Sequence, residues 1–276
     1  MAAVFCCPKQ NRNSHKIFYH TAFSHAFYLR IAAGNRIMGT TKQKSQHRQE
    51  AGNMSEYSCF DIIGPVMVGP SSSHTAGAVR LGRFARAIAK ELPQEVTIYL
   101  HGSFAKTYKG HGTDLALLGG LLGMETDDVR IRDSYRLADE AGLHYQFIAT
   151  DLGEGYHANT AKFVMKTADG AEKSVVGCSI GGGKVRITEL DGFPVEIEGI
   201  YPTLIDTHLD QPGVIHKITG VLVDYQVNIA AMKVFRQEKN TVAYMVVETD
   251  QDVPEDALKE IIAMRPVLDV KFVKPF

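Results

Sequence analysis

Three serines, a histidine and a threonine stand together at Ser71–Thr75, directly before an apolar periodicity that predicts a helix. One hydroxyl would be enough to cap that helix, because it can accept a hydrogen bond from a free helix N–H group. Several hydroxyls beside an imidazole instead favour an anion cradle, in which hydroxyls, backbone N–H groups and the helix dipole bind a carboxylate. His74, with an ordinary pKa near 6.5, is the candidate general acid or base or a hydrogen-bonding partner of the substrate; a capping or surface histidine is the alternative. The residues predicted for the cradle are Ser71, Ser72, Ser73 and Thr75.

A second polar cluster, Lys109–Asp114, also precedes an apolar stretch that predicts a helix. It can be interpreted structurally, as a glycine-rich turn capped by Thr113 or Asp114. The functional interpretation places His111 and Thr113 in the same cleft as His74. His101 follows a strand pattern and is interpreted as structural, and no supporting context accompanies the histidines His144, His208 and His216.

The bulk composition is that of a globular protein of 276 residues with a formal net charge of −1, long enough for two domains. The charge offers no electrostatic reason to expect a nucleic acid partner, and no apolar run is long enough to span a membrane. The four cysteines (Cys6, Cys7, Cys59 and Cys178) show no zinc-ligand or disulfide spacing, so no metal site on this chain and a cytoplasmic location are predicted.

Residues 1–53 have a different character from the remainder. They hold eight of the 30 Lys and Arg and one of the 31 acidic residues, which leaves 22 basic and 30 acidic residues, a net of −8, for the rest. An organelle transit peptide has such a composition. We expect instead a translated leader upstream of a true start at Met54, because the codons of Gln49–Ala51 can contain the ribosome-binding sequence AGGAGG.

The patterns after Met54 predict an α+β domain over residues 54–195. An amphipathic helix follows His74, a strand covers 95–104, and a buried helix covers 112–124. A short helix and a strand come next, and hairpins turn at Asp169-Gly170 and at the Gly181–Gly183 run. Residues 196–202, rich in turn formers, are predicted to be a linker.

Residues 203–276 show the order βαββαβ, which is typical of a ferredoxin-like split βαβ unit. Pro212 stands just before the first predicted helix and Pro254 lies in the first turn of the second. The Asp210–Gly213 loop opens the first helix, so its N–H groups are candidates to bind a carboxylate, with Asn228 facing it from the next strand. A unit that only dimerises is the alternative.

From Tyr57 onward the chain resembles the β subunit of the two-subunit, iron–sulfur-dependent L-serine dehydratase, or serine deaminase. The Gly69–Thr75 stretch (GPSSSHT) carries the resemblance most specifically, followed by Gly102-Ser103 with Lys109–Asp114 (KGHGTD). A weaker match begins at His157 (HANTAKF), where the family often has proline in place of Ala158. Residues 203–276 resemble an ACT regulatory domain, and the first domain resembles the allosteric substrate-binding domain of some 3-phosphoglycerate dehydrogenases.

The resemblance implies dehydration of L-serine to aminoacrylate, which hydrolyses to pyruvate and ammonia. It implies that an open iron of a [4Fe–4S] cluster serves as Lewis acid. Such a cluster needs about three or four cysteine thiolates, and only Cys59 and Cys178 follow Met54, so the cluster is expected on a separate α subunit.

The resemblance also implies the site membership of several residues. His74 and His111 are the catalytic candidates, and an amino-acid effector and an ACT-mediated oligomer are implied for the second domain. The predicted effector residues are Asp210, Gly213 and Asn228. The further substrate-binding candidates are Ser103, Lys109, Thr113, Asp114, His157 and Asn159.

A non-catalytic amino-acid sensor, made of an anion-binding domain and an ACT domain, is the competing hypothesis. It predicts ligand binding without a cluster-bearing partner. The sequence leaves open which histidine takes the proton, which ligand the ACT unit binds, the oligomer size and any dependence on potassium.

Overall fold

A computed structural model describes residues 64–236 and 238–276. The expectations for residues 1–53, the Met54 start and the cysteines Cys6, Cys7 and Cys59 lie outside these residues. The described chain forms two sheets with helices on them, and the predicted α+β class is confirmed.

The first sheet has six strands in the order β2-β1-β3-β4-β5-β6. Strand β1 pairs in parallel with β2 and antiparallel with β3, and the remaining neighbours are antiparallel. The parallel pair requires a crossover, which the helices α2, α3 and α4 supply. The strands are β1 Glu95–His101, β2 His144–Thr150, β3 Thr160–Lys166, β4 Glu172–Gly181, β5 Lys184–Leu190 and β6 Phe193–Ile197. The helices are α1 Gly77–Ala89, α2 Gly102–His111, α3 Thr113–Leu121 and α4 Ser134–Glu140, with a 3₁₀ turn at Val129–Asp133.

Helices α1 and α3 pack against each other through two glycines. A Cβ atom on Gly82 would lie 2.3 Å from the Leu117 carbonyl oxygen, and one on Gly120 would lie 2.1 Å from the Val79 carbonyl oxygen. The absence of both side chains therefore allows the two backbones to touch. Helix α3 is apolar on nearly all sides and is buried, as its sequence predicts.

The second sheet has the order β10-β7-β9-β8, with every pair antiparallel. Its elements are β7 Thr203–Leu209, α5 Val214–Asp224, β8 Ile229–Arg236, β9 Val242–Thr249, α6 Glu255–Ala263 and β10 Val267–Val273. This is the predicted ferredoxin-like βαββαβ unit. One face of the sheet shares a core with α5 and α6. The other face joins the core of the first domain through Ile205, Tyr244, Val246 and Val273.

Two stretches differ from the predicted elements. Lys109–His111 do not form a turn before a helix but end helix α2, and Gly112, with a positive φ of 67°, separates α2 from α3. Strand β6 continues to Ile197 and pairs with β5, so the first domain extends two residues into the predicted linker.

Tyr244 on β9 ties the two domains together. It is 5% exposed, its hydroxyl donates to Asp191 Oδ2 over 2.9 Å, and its ring lies 4.5 Å from that of Phe193. Burial, followed by the neighbouring Asp191 carboxylate, raises the pKa of the Tyr244 phenol, so the hydroxyl remains a donor at neutral pH.

Replacing Tyr244 by phenylalanine is expected to lower the free energy of unfolding by about 1–2 kcal/mol, because Asp191 loses a donor in a partly buried place. Urea denaturation measures the change. Tyr201→Phe is the control, since Tyr201 is 44% exposed and its loss of a hydroxyl should cost less than about 0.5 kcal/mol. Equal effects of the two substitutions would contradict the proposed bridge.

Candidate active site

The hydroxyl cluster forms a π-helical turn, Ser72–Ala76, that runs directly into α1. Ser71 caps this turn: its side-chain oxygen accepts from the His74 backbone N–H over 3.2 Å, and its carbonyl accepts from Thr75 N–H over 2.8 Å. The capping function is thus met by Ser71. The hydroxyls of Ser72 and Ser73 make no hydrogen bond to any part of the chain that the structure describes.

His74 meets residues from two other predicted motifs. Its Nε2 atom lies 3.1 Å from Ser103 Oγ at the start of α2. Its ring centroid lies 4.8 Å from that of His111 at the end of α2, and 5.1 Å from that of Phe104. One helix therefore carries both polar partners of His74, one at each end.

The electrostatics of the cluster favour a neutral imidazole. Burial, followed by the charge of His111, lowers the pKa of His74 below its ordinary value of 6.5. Two imidazoles this close disfavour protonation of both, because like charges repel. His74 is therefore a free base at neutral pH, able to accept a proton.

The segment around His157 and Asn159 holds the start of α2. The Ala158 carbonyl accepts from the Ser103 and Phe104 N–H groups over 2.7 and 3.4 Å. Gly102 has a φ of +59°, and a Cβ atom there would lie 2.6 Å from the Ala158 oxygen. Only glycine fits at this point, and the contact positions Ser103 for His74.

The side chains of His157 and Asn159 are used within this segment. His157 Nδ1 accepts from the Asn159 N–H over 3.1 Å, and the Asn159 amide donates to the Ser179 carbonyl over 3.3 Å. The structure therefore brings both residues near Ser103 through the backbone. Their predicted binding of substrate stays a prediction.

Several buried polar atoms near His74 have no hydrogen-bond partner among the described residues. An unpaired buried polar atom costs free energy, and such atoms are common at functional sites. They are Thr75 Oγ1, His111 Nδ1, Thr113 Oγ1 and Ser179 Oγ. The sequence patterns did not indicate Ser179 as a site residue. It lies against Gly77, where an added Cβ atom would be 2.1 Å from the Ser179 Oγ.

Asp114 and Lys109 differ from their neighbours in the cluster. Asp114 is 5% exposed, its Oδ1 accepts from the Leu115 N–H over 2.9 Å, and its Oδ2 accepts from the Tyr135 hydroxyl over 2.6 Å. Both carboxylate oxygens thus hold the start of α3. Lys109 is exposed, with its ammonium 5.8 Å from the centre of the Tyr108 ring.

The three residues predicted to bind an effector do not all lie at the same place in the structure. Asp210 accepts from Arg236 over 2.7 Å and from the Asn240 N–H over 3.2 Å, and these bonds lower the pKa of its carboxyl. Gly213, with a φ of +89°, begins α5 next to it.

Asn228 lies at the other end of the sheet, which corrects the expectation that it faces this loop within one chain. Thr203 at the start of β7 pairs with Glu248 of β9, and Ile229, just after Asn228, pairs with Thr249. Asn228 is therefore level with the beginning of β7, whereas Asp210 follows its end. The Asn228 amide donates to Asp250 over 2.6 Å.

The described residues do not provide the ligands of an iron–sulfur cluster. Cys178 is the one cysteine within 64–236 and 238–276; it is buried in β4, and burial raises the pKa of its thiol. No group of three or more His, Cys, Asp or Glu side chains in this part of the chain is arranged to hold a metal ion. A search of the same residues finds no helix that is both long and apolar enough for a membrane span.

Comparison with known proteins agrees with this architecture. Residues 203–265 match the ACT domain family model, and residues 58–189 match the model described as serine dehydratase beta chain. The fold and site define an α+β domain joined to an ACT domain. The sequence relatives then show that the chain belongs to the serine dehydratase beta chain family.

Three relatives illustrate the similarity. The L-serine dehydratase beta chain of Peptoniphilus asaccharolyticus is 41% identical over 221 residues, covering 80% of this chain and 100% of that one. The probable L-serine dehydratase beta chain of Bacillus subtilis is 42% identical over 217 residues, covering 79% and 98%. The D-3-phosphoglycerate dehydrogenase of Synechocystis is 28% identical over 198 residues, covering 71% of this chain and 35% of that protein.

Replacing His111 by asparagine is expected to raise the pKa of His74 part of the way toward 6.5, because the electrostatic effect of His111 is removed while burial, the larger cause of the lowered pKa, remains. A reaction that needs neutral His74 would then lose activity at a higher pH than in the wild type. The acid limb of kcat/KM against pH measures the shift in the complete enzyme. An acid limb that stays in place or moves to lower pH would contradict the coupling of the two imidazoles.

Proposed function

We propose that this chain is the β subunit of an L-serine dehydratase, which converts L-serine to pyruvate and ammonia together with an α subunit. The observation that carries the proposal is the meeting of His74, Ser103 and His111, which belong to two separate motifs and lie within hydrogen-bonding or ring contact. The named relatives add support, since two of them are L-serine dehydratase beta chains.

In this proposal the turn before α1 binds the substrate carboxylate. The N-terminus of a helix presents free N–H groups and a partial positive charge, both of which favour an anion. Because Ser71 already caps the turn, Ser72 and Ser73 are the hydroxyls left to donate to the carboxylate. Ser103 Oγ is the hydroxyl in contact with His74, and the Thr75 and Thr113 hydroxyls, which are buried without a hydrogen-bond partner among the described residues, are further candidates to donate to the substrate.

His74 is proposed to take the proton from the α carbon of serine. Burial, followed by His111, lowers the pKa of His74 and so keeps the imidazole neutral at neutral pH, and Ser103 Oγ, 3.1 Å from Nε2, orients the ring. Loss of the α proton and of the β hydroxyl, which leaves as water, gives aminoacrylate. Aminoacrylate then hydrolyses to pyruvate and ammonia.

A general base typically contributes 10²- to 10⁴-fold, roughly 3–5 kcal/mol of the barrier, and hydroxide is a poor leaving group. A base alone is therefore too little, and the reaction needs an electrophile. Since the described residues do not fit an iron–sulfur cluster, we place the family's [4Fe–4S] cluster on the α subunit. The proposal assigns to this chain only the carboxylate site and the imidazoles.

The second domain is proposed to bind an amino-acid effector at the Asp210–Gly213 loop and to mediate oligomer formation. The loop ends at Gly213, the N-cap of α5; the N–H groups of Asp210 and Val214 donate to the Thr241 and Gln211 carbonyls, and the proposal assigns the carboxylate to the N–H groups of Gln211 and Gly213. We further propose that the assembled enzyme works in the cytoplasm.

The test is anaerobic co-expression with a serine dehydratase α chain, followed by an assay for pyruvate and ammonia from L-serine. Equal amounts of both products are expected from the cluster-loaded complex. A complex that carries its cluster and yet forms no pyruvate would overturn the proposal. Lys166→Ala, at the exposed end of strand β3, is a surface control that should leave turnover unchanged.

A further inference from the structure

A cavity lies between the two domains, away from the site described above. Its volume is about 700 Å³, and its walls come from the C-terminal half of α1 on one side and from α6 and β10 on the other. Cavities of this size at domain boundaries are typical places for small-molecule ligands. His74 and Arg86, which lines the cavity, are separated by twelve positions along the π turn and α1, or roughly 18 Å at 1.5 Å per residue.

Four basic side chains from both domains line this cavity. Arg83 and Arg86 stand three positions apart on one face of α1, Lys90 follows the helix as its C-cap with a positive φ of 66°, and Lys271 approaches from β10. Glu255, at the first position of α6, is the one acidic residue in the lining, and its side chain makes no ion pair within the described residues. Like charges brought together repel, so such a set needs compensation.

The chain compensates these charges only in part. Arg83 pairs with Glu125, while Lys90 and Lys271 share a single carboxylate, Asp269, at 2.5 Å each. Arg86 donates to a neutral group, the Leu121 carbonyl, over 2.9 Å, and has no acidic partner among the described residues. One of the two lysines and Arg86 therefore have no carboxylate of their own, and with Glu125, Asp269 and Glu255 counted, four cations face three carboxylates, an excess of one positive charge.

Lys271 is buried, so its positive charge does not lie on a solvated surface. Its side chain is 3% exposed, and burial lowers its pKa. Placing a lysine there costs desolvation free energy that the shared Asp269 recovers only partly. An anion in the cavity would supply the missing compensation for Lys271 and Arg86 together.

We propose that this cavity is a binding site for a small organic anion, such as a phosphorylated or carboxylate metabolite. Guanidinium groups suit both classes, because their paired N–H donors match phosphate and carboxylate oxygens. The site does not depend on the proposed dehydratase activity, and its ligand is distinct from an effector at the Asp210–Gly213 loop.

Isothermal titration calorimetry on the full chain tests the proposal, with inorganic phosphate and citrate as separate probes at constant ionic strength. Saturable binding of one or both is expected, and a preference between them identifies the class of anion. Arg86→Gln should weaken the affinity at least about tenfold. Arg132→Gln is the matched control, because it removes the same charge from an exposed position outside the cavity.

The absence of saturable binding for both probes would overturn the proposal. Equal losses of affinity in the Arg86 and Arg132 variants would also overturn it, because they would show that the anions respond to the overall charge of the protein and not to this cavity. Circular dichroism establishes that each variant is folded. If Arg86→Gln fails to fold, Arg83→Gln replaces it, since the Arg83 side chain is 23% exposed and lines the same wall. Unchanged affinity in that variant would likewise contradict the site.

Discussion

Replacing His74 by alanine is expected to lower kcat of the assembled enzyme by about 10²- to 10⁴-fold, the usual contribution of a general base. The reason is local: His74 is the imidazole that contacts both Ser103 and His111, and its lowered pKa keeps it unprotonated at neutral pH. Subunit assembly and cluster absorbance should remain, because the side chain is only partly buried and its backbone N–H still meets Ser71. Pyruvate formation under saturating L-serine measures the effect.

His144→Ala is the matched control, since His144 is an exposed histidine at the start of β2, outside the cluster. It should retain wild-type turnover. If the His74 variant kept its turnover while remaining assembled, the proposed role of the imidazole would be refuted. If it lost turnover together with assembly, His74→Gln, which preserves more side-chain volume, would separate the two effects.

Replacing Gly120 by alanine is expected to lower the free energy of unfolding by about 2–3 kcal/mol, a typical cost of overpacking. The added Cβ atom would lie 2.1 Å from the Val79 carbonyl oxygen, so helices α1 and α3 must separate. Backbone atoms cannot move aside as a flexible side chain can. Chemical denaturation of the purified chain measures the loss.

Gly220→Ala is the control for helix propensity. Gly220 lies within α5 with nothing within 4 Å of an added Cβ atom, so alanine there should stabilise the chain by about 0.5–1 kcal/mol. A Gly120 variant as stable as the Gly220 variant would contradict the close approach of α1 and α3. Since α1 begins at the His74 turn and α3 begins beside His111, we also expect lower activity in the Gly120 variant.

The sequence predicts those elements whose apolar residues follow one clear period. Strand β1 alternates, α1 is amphipathic and α3 is apolar all round, and all three elements form, although β1 ends at His101 and not at residue 104 as predicted, because α2 begins at Gly102. Helix α2 was missed because Phe104 is its only buried residue and glycines flank its ends. Its position is determined by the Ala158 carbonyl, which lies more than fifty residues along the chain.

Contacts between distant residues explain the remaining differences at the candidate site. The types and spacing of residues indicated His74 and His111. Nothing in the neighbouring sequence shows that Ser179 lies against Gly77, or that the Tyr135 hydroxyl donates a hydrogen bond to Asp114. A polar residue inside the otherwise buried β4 was the available signal for Ser179. Asn228 was misplaced relative to Asp210 although the predicted β-α-β connection returns the chain to the opposite end of the sheet, which puts Asn228, before β8, level with the start of β7.

Reconstitution from separately purified chains tests the central claim most directly, namely that this chain contributes one part of a shared serine dehydratase site. An α chain loaded with its cluster is titrated anaerobically with this chain, and pyruvate from L-serine is followed. We predict little pyruvate from either chain alone and a rate that rises until the two chains are present in equal amounts. Full activity of the α chain alone, or no activity at any ratio of cluster-loaded α chain to this chain, would contradict the account.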